Sequence, residues 1–291
     1  MISPAAIQSI MKKHNISCRK SLGQNFLIDN NIIRKIIELA ELTKSDLVVE
    51  IGPGLGSLTR EIAHSVGKVM AIEIDRGLFK ALNELLAGLE NVNIILGDAL
   101  KTDFDRLVEE KTGGEYGRTG KAYKLMANLP YYITSPILMH LLHNHFNISV
   151  IVVMIQLEVA ERLVATPGTK AYGALSLAVQ YFTKPEILFR VPRTVFYPRP
   201  GVDSAVVRLL VRKEPVAIVQ DEDLLFNIIR STFGMRRKTL LNALTRSSLG
   251  IERETCLIGL KRAGIDPGRR AETLTLGEFV SLAENIVKDN S

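Results

Sequence analysis

Asp46-Leu47-Val48-Val49-Glu50-Ile51-Gly52-Pro53-Gly54-Leu55-Gly56-Ser57 reads as a short, branched apolar strand running into a glycine-rich turn. Ser57-Leu58-Thr59-Arg60-Glu61-Ile62 then reads as the start of a helix. Glycines in a strand-to-helix turn permit positive φ and let a ligand approach the backbone closely. The spacing is G-x-G-x-G, with Ser57 where a dinucleotide-binding turn has its third glycine. Taken alone, such a turn is equally a tight corner into a helix. Its neighbours narrow the reading. Lys68 to Ile74 is a second strand carrying Glu73 at its end. That acid lies about 20 residues past the first glycine, the spacing at which an acid recognises ribose hydroxyls. Val92 to Leu96 is a third strand, followed by Gly97-Asp98-Ala99 and so by a second acid at a strand end. No Walker lysine accompanies the turn, so a nucleoside ligand without a triphosphate fits better.

Further along, the apolar run Tyr123 to Ala127 reads as a buried strand, and Asn128-Leu129-Pro130-Tyr131 stands at its C-terminal end. A parallel α/β sheet places its chemistry there. An amide, a proline with a free carbonyl and a flat ring suit a planar exocyclic amine, with carbonyl oxygens accepting its hydrogens and the ring stacking on the base. On this reading the Asn128 side-chain oxygen and the Pro130 carbonyl accept the amine hydrogens, and Tyr131 stacks. The alternative is a strand end closed by a proline turn and a half-buried tyrosine.

The surrounding pattern is that of a doubly wound α/β sheet. Asn30 to Leu39 has helical periodicity, and strands alternate with helices as far as Ser149 to Ile155. Helical stretches at Gln156 to Ala165 and Tyr172 to Phe182 follow. Ile187 to Val191 and Ser204 to Val211 read as a closing strand pair. Glu109 to Lys121 is polar and glycine-rich and reads as a mobile surface loop. The expected boundary separates a catalytic domain over 1–213 from a small helical domain over 214–291, with helices near 224–233, 237–244, 253–261 and 276–287.

Three further segments carry a resemblance. They are Arg19-Lys20-Ser21-Leu22-Gly23-Gln24-Asn25-Phe26-Leu27, Val195-Phe196-Tyr197-Pro198-Arg199-Pro200-Gly201-Val202-Asp203-Ser204, and a tail with Arg236-Arg237-Lys238-Thr239-Leu240 and Arg270-Ala271-Glu272-Thr273-Leu274. With the glycine turn, the two acids and the tetrad, they resemble the bacterial rRNA adenine N6,N6-dimethyltransferases of the KsgA-like kind, from about Ile16 to about Ala283. The resemblance implies a class I methyltransferase fold: Rossmann-like, doubly wound, a mostly parallel seven-stranded sheet and a small C-terminal all-α domain. It implies S-adenosylmethionine as methyl donor, without a metal. Asn25 and Leu27 would hold the methionine end, and Gly52 would pack its backbone against the donor. Glu73 would accept the ribose hydroxyls and Asp98 the adenine amine, with the Asn128 backbone beside the donor. Glu50 would reach the donor's ammonium through water, or else pair structurally with a neighbouring helix. Phe196 would cover the other face of the target base, or else be a core phenylalanine. The implied acceptor is a pair of adjacent adenines in a hairpin loop near the 3′ end of 16S rRNA, within the assembling small ribosomal subunit.

Composition agrees without deciding. Lys and Arg number 37 against 31 acids, a net charge of +6 that favours a polyanionic partner. RNA contacts are expected at Arg19 and Lys20 and at Arg236, Arg237 and Lys238; a basic cluster is otherwise a solvated face. The two cysteines, Cys18 and Cys256, lack metal-ligand spacing, and the five histidines lack a zincin pattern. His140, His143 and His145 read as a solvated helix rim. No signal-peptide core or membrane-length apolar run is visible, so the expected setting is the cytoplasm, with no membrane contact and no obligate protein partner. Three other functions share parts of the pattern: a macrolide-resistance-type dimethyltransferase acting on 23S rRNA, a nonenzymatic ribosome-assembly factor that binds RNA, and a nicotinamide dehydrogenase.

Overall fold

A computed structural model describes residues 4–14, 16 and 25–287. Arg19 and Lys20 lie outside the described residues. The chain divides into two compact units. One runs to Ala160 and resumes over Pro185–Val211; the other comprises Glu161–Lys184 and the chain from Arg212 onward. The segment Glu161–Lys184 therefore groups with the C-terminal helices, which the sequence reading had assigned to the catalytic domain.

The first unit is a seven-stranded sheet. Its strands are β2 (Leu47–Ile51), β3 (Lys68–Glu73), β4 (Val92–Leu96), β5 (Tyr123–Asn128), β6 (Ile148–Gln156), β7 (Thr183–Val191) and β9 (Ser204–Val211), in the order β4-β3-β2-β5-β6-β9-β7. β2 pairs in parallel with β3 and β5, β3 with β4, and β5 with β6. β6 pairs antiparallel with β9, with Gln156 opposite Ser204. β2 is buried along its whole length, as a central strand covered on both faces must be, and this explains its continuous branched apolar run. β4, at the sheet edge, alternates between partial burial and exposure.

Helices α2 (Asn30–Leu39), α3 (Ser57–Ser65), α4 (Arg76–Leu85), α5 (Phe104–Thr112) and α6 (Thr134–His143) connect or flank these strands. Asp29, Asp75 and Asp103 are their caps where an Asx side chain is available. Asp29 accepts from Asn31 and Ile32, Asp75 from Gly77 and Leu78, and Asp103 from Arg106. Asp75 and Asp103 thus start α4 and α5. Ile33 and Ile36 of α2 pack with Ile62, Val69, Met126 and Val206 in the core.

Two features escaped the sequence reading. Pro4–Lys13 forms a helix, α1, whose Ile7 is 1% exposed and packs with Ile16, Phe26, Leu55, Leu78 and Ala81. Lys13 and His14 meet Glu84 on α4. The other is a two-stranded antiparallel ribbon of β1 (Phe26–Leu27) and β8 (Phe196–Tyr197), pairing Phe26 with Tyr197 and Leu27 with Phe196. Ile28 N–H extends it by donating to the Val195 carbonyl.

The segment expected as a mobile loop is built otherwise. Its first part belongs to α5, and the remainder is tied down. Asn147 Nδ2 donates to the Gly117 and Gly120 carbonyls, and the Tyr116 hydroxyl donates to the Ser45 carbonyl. Beneath it, the Asp105 carboxylate is 1% exposed. It accepts from the Tyr123 hydroxyl at 2.9 Å and from Asn147 N–H at 2.9 Å, with Arg118 3.6 Å away.

The second unit holds α8 (Ala174–Phe182), α9 (Glu222–Gly234), α10 (Leu240–Thr245), α11 (Arg253–Arg262) and α12 (Leu276–Val287), after the short α7 (Leu157–Leu163) that spans the division. Tyr172 is buried and donates its hydroxyl to the Leu274 carbonyl at 2.9 Å. Among the described residues no helix is long and apolar enough to cross a membrane.

Candidate active site

One cavity of about 280 Å³ opens at the C-terminal ends of β2, β3, β4 and β5. Asn25, Leu27, Gly52, Glu73, Asp98, Asn128, Pro130 and Tyr131 all line it. Every cofactor position expected from the sequence is therefore gathered on one wall system, together with the tetrad. Ile7, Ile74, Leu100, Tyr132 and Ile137 also line it, none of them anticipated as site residues. The helical spacing of Ile7, Ile10 and Met11, which pack together, is the signal that could have found Ile7.

The glycine turn supplies backbone rather than side chains. Gly52 has φ +67°, and no atom lies within 4 Å of where a Cβ would stand, so the cavity reaches the main chain there. Gly56, with φ +77°, caps α3, and a Cβ on it would meet Leu82 at 3.1 Å. The first glycine keeps the ligand side open, and the last lets α3 and α4 close up.

Glu73 is 4% exposed and accepts Asp75 N–H at 2.8 Å. Burial raises its pKa against the pull of the Asp75, Gly54 and Ile74 amides, with the Asp75 charge adding to the rise. Asp98 accepts Leu100 N–H at 3.0 Å through Oδ1, and its carbonyl accepts the Thr102 hydroxyl at 2.9 Å. Strand-end carboxylates held by backbone amides present acceptor oxygens toward a ribose or an amine. Glu50 is 1% exposed, and its Oε2 has no hydrogen-bond partner among the described residues. The Thr59 hydroxyl lies beside it without meeting hydrogen-bond geometry. An orphaned buried carboxyl, two acids at neighbouring strand ends and an open glycine backbone together fit a cationic nucleoside ligand such as S-adenosylmethionine.

Burial pushes Glu50 up from 4.5 to about 8, Thr59 opposing and the Glu73 charge reinforcing. The folded state therefore holds a proton that the unfolded chain loses between these values, and stability falls as pH rises from about 4.5 toward about 8. Glu50→Gln, which mimics the neutral acid, is expected to flatten that slope. Melting temperatures of both proteins across this range check it; parallel curves would show that Glu50 ionises normally.

Around the tetrad the geometry is specific. Asn128 Nδ2 donates to the Asn25 carbonyl at 3.0 Å, which occupies one of the amide's two N–H donors and fixes the amide's orientation, with Oδ1 as its acceptor. The Pro130 carbonyl, expected as a free acceptor, already receives Ile133 N–H at 3.2 Å and the Thr134 hydroxyl at 3.2 Å. Both bonds follow from the tight turn Tyr131–Ile133 that leads into α6. Leu129, on the same cavity wall, has its N–H on the Met154 carbonyl, and its own carbonyl accepts no hydrogen bond among the described residues. The Tyr131 hydroxyl lies 2.9 Å from the Ser204 hydroxyl. Phe196 differs from its expected place: it is 4% exposed, packs in the core with Leu27, Val191 and Val206, and does not line the cavity. Its pairing opposite Leu27 in the β1–β8 ribbon turns it inward.

In the second unit, Arg236 reaches the Lys170 and Tyr172 carbonyls at 3.3 and 3.2 Å, a structural engagement that sequence could not show. Arg269 is paired with Glu278. Arg237 and Lys238 are exposed. His140, expected on a solvated rim, packs against Phe104 and Phe146 and bonds the Thr102 carbonyl at 2.9 Å.

The chain resembles known proteins along nearly its whole length. The family model described as ribosomal RNA adenine dimethylase matches residues 15–288. Ribosomal RNA small subunit methyltransferase A of Pelotomaculum thermopropionicum is 64% identical over 285 residues, covering 98% of this chain and 97% of the relative. A dimethyladenosine transferase of Plasmodium falciparum superposes with TM-score 0.73 at 28% identity, over 88% of this chain and 95% of the other. The 23S rRNA methyltransferase ErmE does so with TM-score 0.65 at 28% identity, over 90% and 99%.

Proposed function

The chain belongs to the ribosomal RNA adenine dimethylase family, and from that premise we propose that it dimethylates N6 of two adjacent adenines in a hairpin loop near the 3′ end of 16S rRNA, during small-subunit assembly. The observation that carries the small-subunit reading is the full-length match to a small-subunit methyltransferase at far higher identity than to the 23S enzyme. As a member of the family it is an S-adenosylmethionine-dependent rRNA adenine methyltransferase.

S-adenosylmethionine, when bound, supplies a methyl group already activated on a sulfonium. Glu73 and Asp98 would hold its ribose and adenine, Asn25, Leu27 and Gly52 its methionine end. Adenine N6 is a poor nucleophile because its lone pair is delocalised into the ring. Asn128 Oδ1 accepts one N6 hydrogen, and with the Pro130 carbonyl engaged, the Leu129 carbonyl is the better second acceptor. Two such acceptors pull N6 toward a tetrahedral shape and free its lone pair. Positive charge grows on N6 as it gains carbon, and the same oxygens stabilise it without reorganising. Tyr131 stacks on the ring, worth about 1–3 kcal/mol per base. The base reaches this cavity only from a loop or after flipping out of a helix. Phe196 would contribute a second stacking face only after leaving the core.

Arg237 and Lys238, whose side chains meet no ion-pair or hydrogen-bond partner among the described residues, are proposed to touch RNA phosphates. Neutralising both is expected to lower the salt slope of RNA binding by up to about 2. Binding isotherms over a salt series measure it, and an unchanged slope would remove this patch from the interface.

The acceptor is tested by offering labelled S-adenosylmethionine with small and large ribosomal subunits from cells lacking the modification. Label confined to the small subunit is expected; label on large-subunit RNA would favour the 23S reading. Tight RNA binding without incorporation on either would indicate an assembly factor.

A further inference from the structure

Tyr131 can stack on a base without its hydroxyl, as phenylalanine would, so the partner of that hydroxyl calls for a reason. The partner is Ser204, 2.9 Å away and 1% exposed. Ser204 opens β9 and faces Gln156 across the β6–β9 ladder. The residue before it is fixed from two directions. Leu157 N–H donates to the Asp203 carbonyl at 3.0 Å, and Arg193 N–H donates to Asp203 Oδ1 at 2.9 Å. Ser204 is thus a rigid post rising from the sheet. Tyr131, in contrast, rides on a single tight turn beyond the end of β5. Burial and the nearby Asp203 charge both raise its phenol pKa, so the hydroxyl stays neutral and available for this bond.

We propose that Ser204 is a positioning residue for methyl transfer, pinning the Tyr131 hydroxyl from β9 so that the ring's long axis lies fixed along the cavity wall where the target adenine stacks. The hydroxyl lies on the ring axis, so tethering it restricts χ1 and stops the ring swinging out toward solvent. The turn at Pro130 fixes the backbone end, through Ile133 N–H and the Thr134 hydroxyl. The ring is held at both ends, by β5's turn at one and by β9 at the other. This rests on the reading of Tyr131 as the stacking residue.

The test is a double-mutant cycle with Tyr131→Phe, Ser204→Ala and the two combined. Each single change removes the same neutral hydrogen bond and is expected to lower turnover at saturating RNA by about three- to tenfold. The double variant should be no slower than the slower single, and the affinity of all three for S-adenosylmethionine should match the parent. The same cycle is read independently of chemistry from the fluorescence quenching of 2-aminopurine placed in the RNA hairpin loop. Equal loss of quenching in both singles and the double supports the pair even if the acceptor reading fails. Multiplicative losses, or an Ser204→Ala protein as active as the parent, would overturn it. So would a parallel loss of cofactor affinity, which would make Ser204 a general support of the fold.

Discussion

Replacing Asn128 by alanine is expected to cut methyl transfer by about 10²–10³-fold, the range seen when a preorganised polar contact to developing charge is removed. The cofactor should still bind, because Glu73 and Asp98, proposed to hold its ribose and adenine, sit at other strand ends. The loss follows from a single atom. Asn128 Nδ2 donates to the Asn25 carbonyl, which holds the amide in place, and Oδ1 is the acceptor it offers to an incoming amine. That bond also ties the β1–β8 ribbon to the end of β5, and alanine removes it; a few-fold weaker cofactor binding is the expected side effect, at about 1 kcal/mol for a neutral hydrogen bond. Single-turnover rates with saturating cofactor, set beside cofactor dissociation constants, separate the two. A variant within tenfold of the parent rate would contradict the catalytic role. A loss of binding as large as the loss of rate would reduce Asn128 to a support for the cofactor site.

The second large effect concerns stability at the opposite end of the sheet. Asp105→Ala should destabilise the protein by about 3–5 kcal/mol, the cost of removing one partner from a buried charged network. Its carboxylate satisfies the buried Tyr123 hydroxyl and the part-buried Asn147 N–H, and both would lose their partner. The melting temperature should drop by roughly 6–15 °C for a chain of this size. Asp105→Asn, which keeps an acceptor oxygen, should recover part of the loss. Cofactor affinity of the folded fraction should be unchanged, since Asp105 belongs to α5 and does not line the cavity. A melting temperature within 2 °C of the parent, on the same principle, would mean water replaces the carboxylate without cost.

Much of the site was legible because its parts are local. A strand ending in a glycine turn, an acid at the next strand end and a proline tetrad are each written in a few consecutive residues, and a parallel sheet brings strand ends together by its topology. Glu73, Asp98 and Asn128 consequently meet at one cavity. What failed depends on contacts between distant segments. Phe196 is turned into the core by pairing with Leu27, 169 positions earlier in the numbering. The state of the Pro130 carbonyl depends on how tightly the following turn closes, which Thr134 alone does not announce. Composition suggested motion over 109–121, but Asp105 and Asn147 anchor the glycine-rich segment from outside it. Arg236 looked like its neighbours Arg237 and Lys238 until its carbonyl partners were seen.

The central claim is met most directly by nucleoside analysis of small-subunit rRNA after incubation with the protein and S-adenosylmethionine, using particles that lack the modification, followed by mapping of the modified positions. The account predicts N6,N6-dimethyladenosine at two adjacent positions of one hairpin loop near the 3′ end, absent with Asn128→Ala. Dimethyladenosine confined to large-subunit rRNA, or a small-subunit product other than N6,N6-dimethyladenosine, would contradict it.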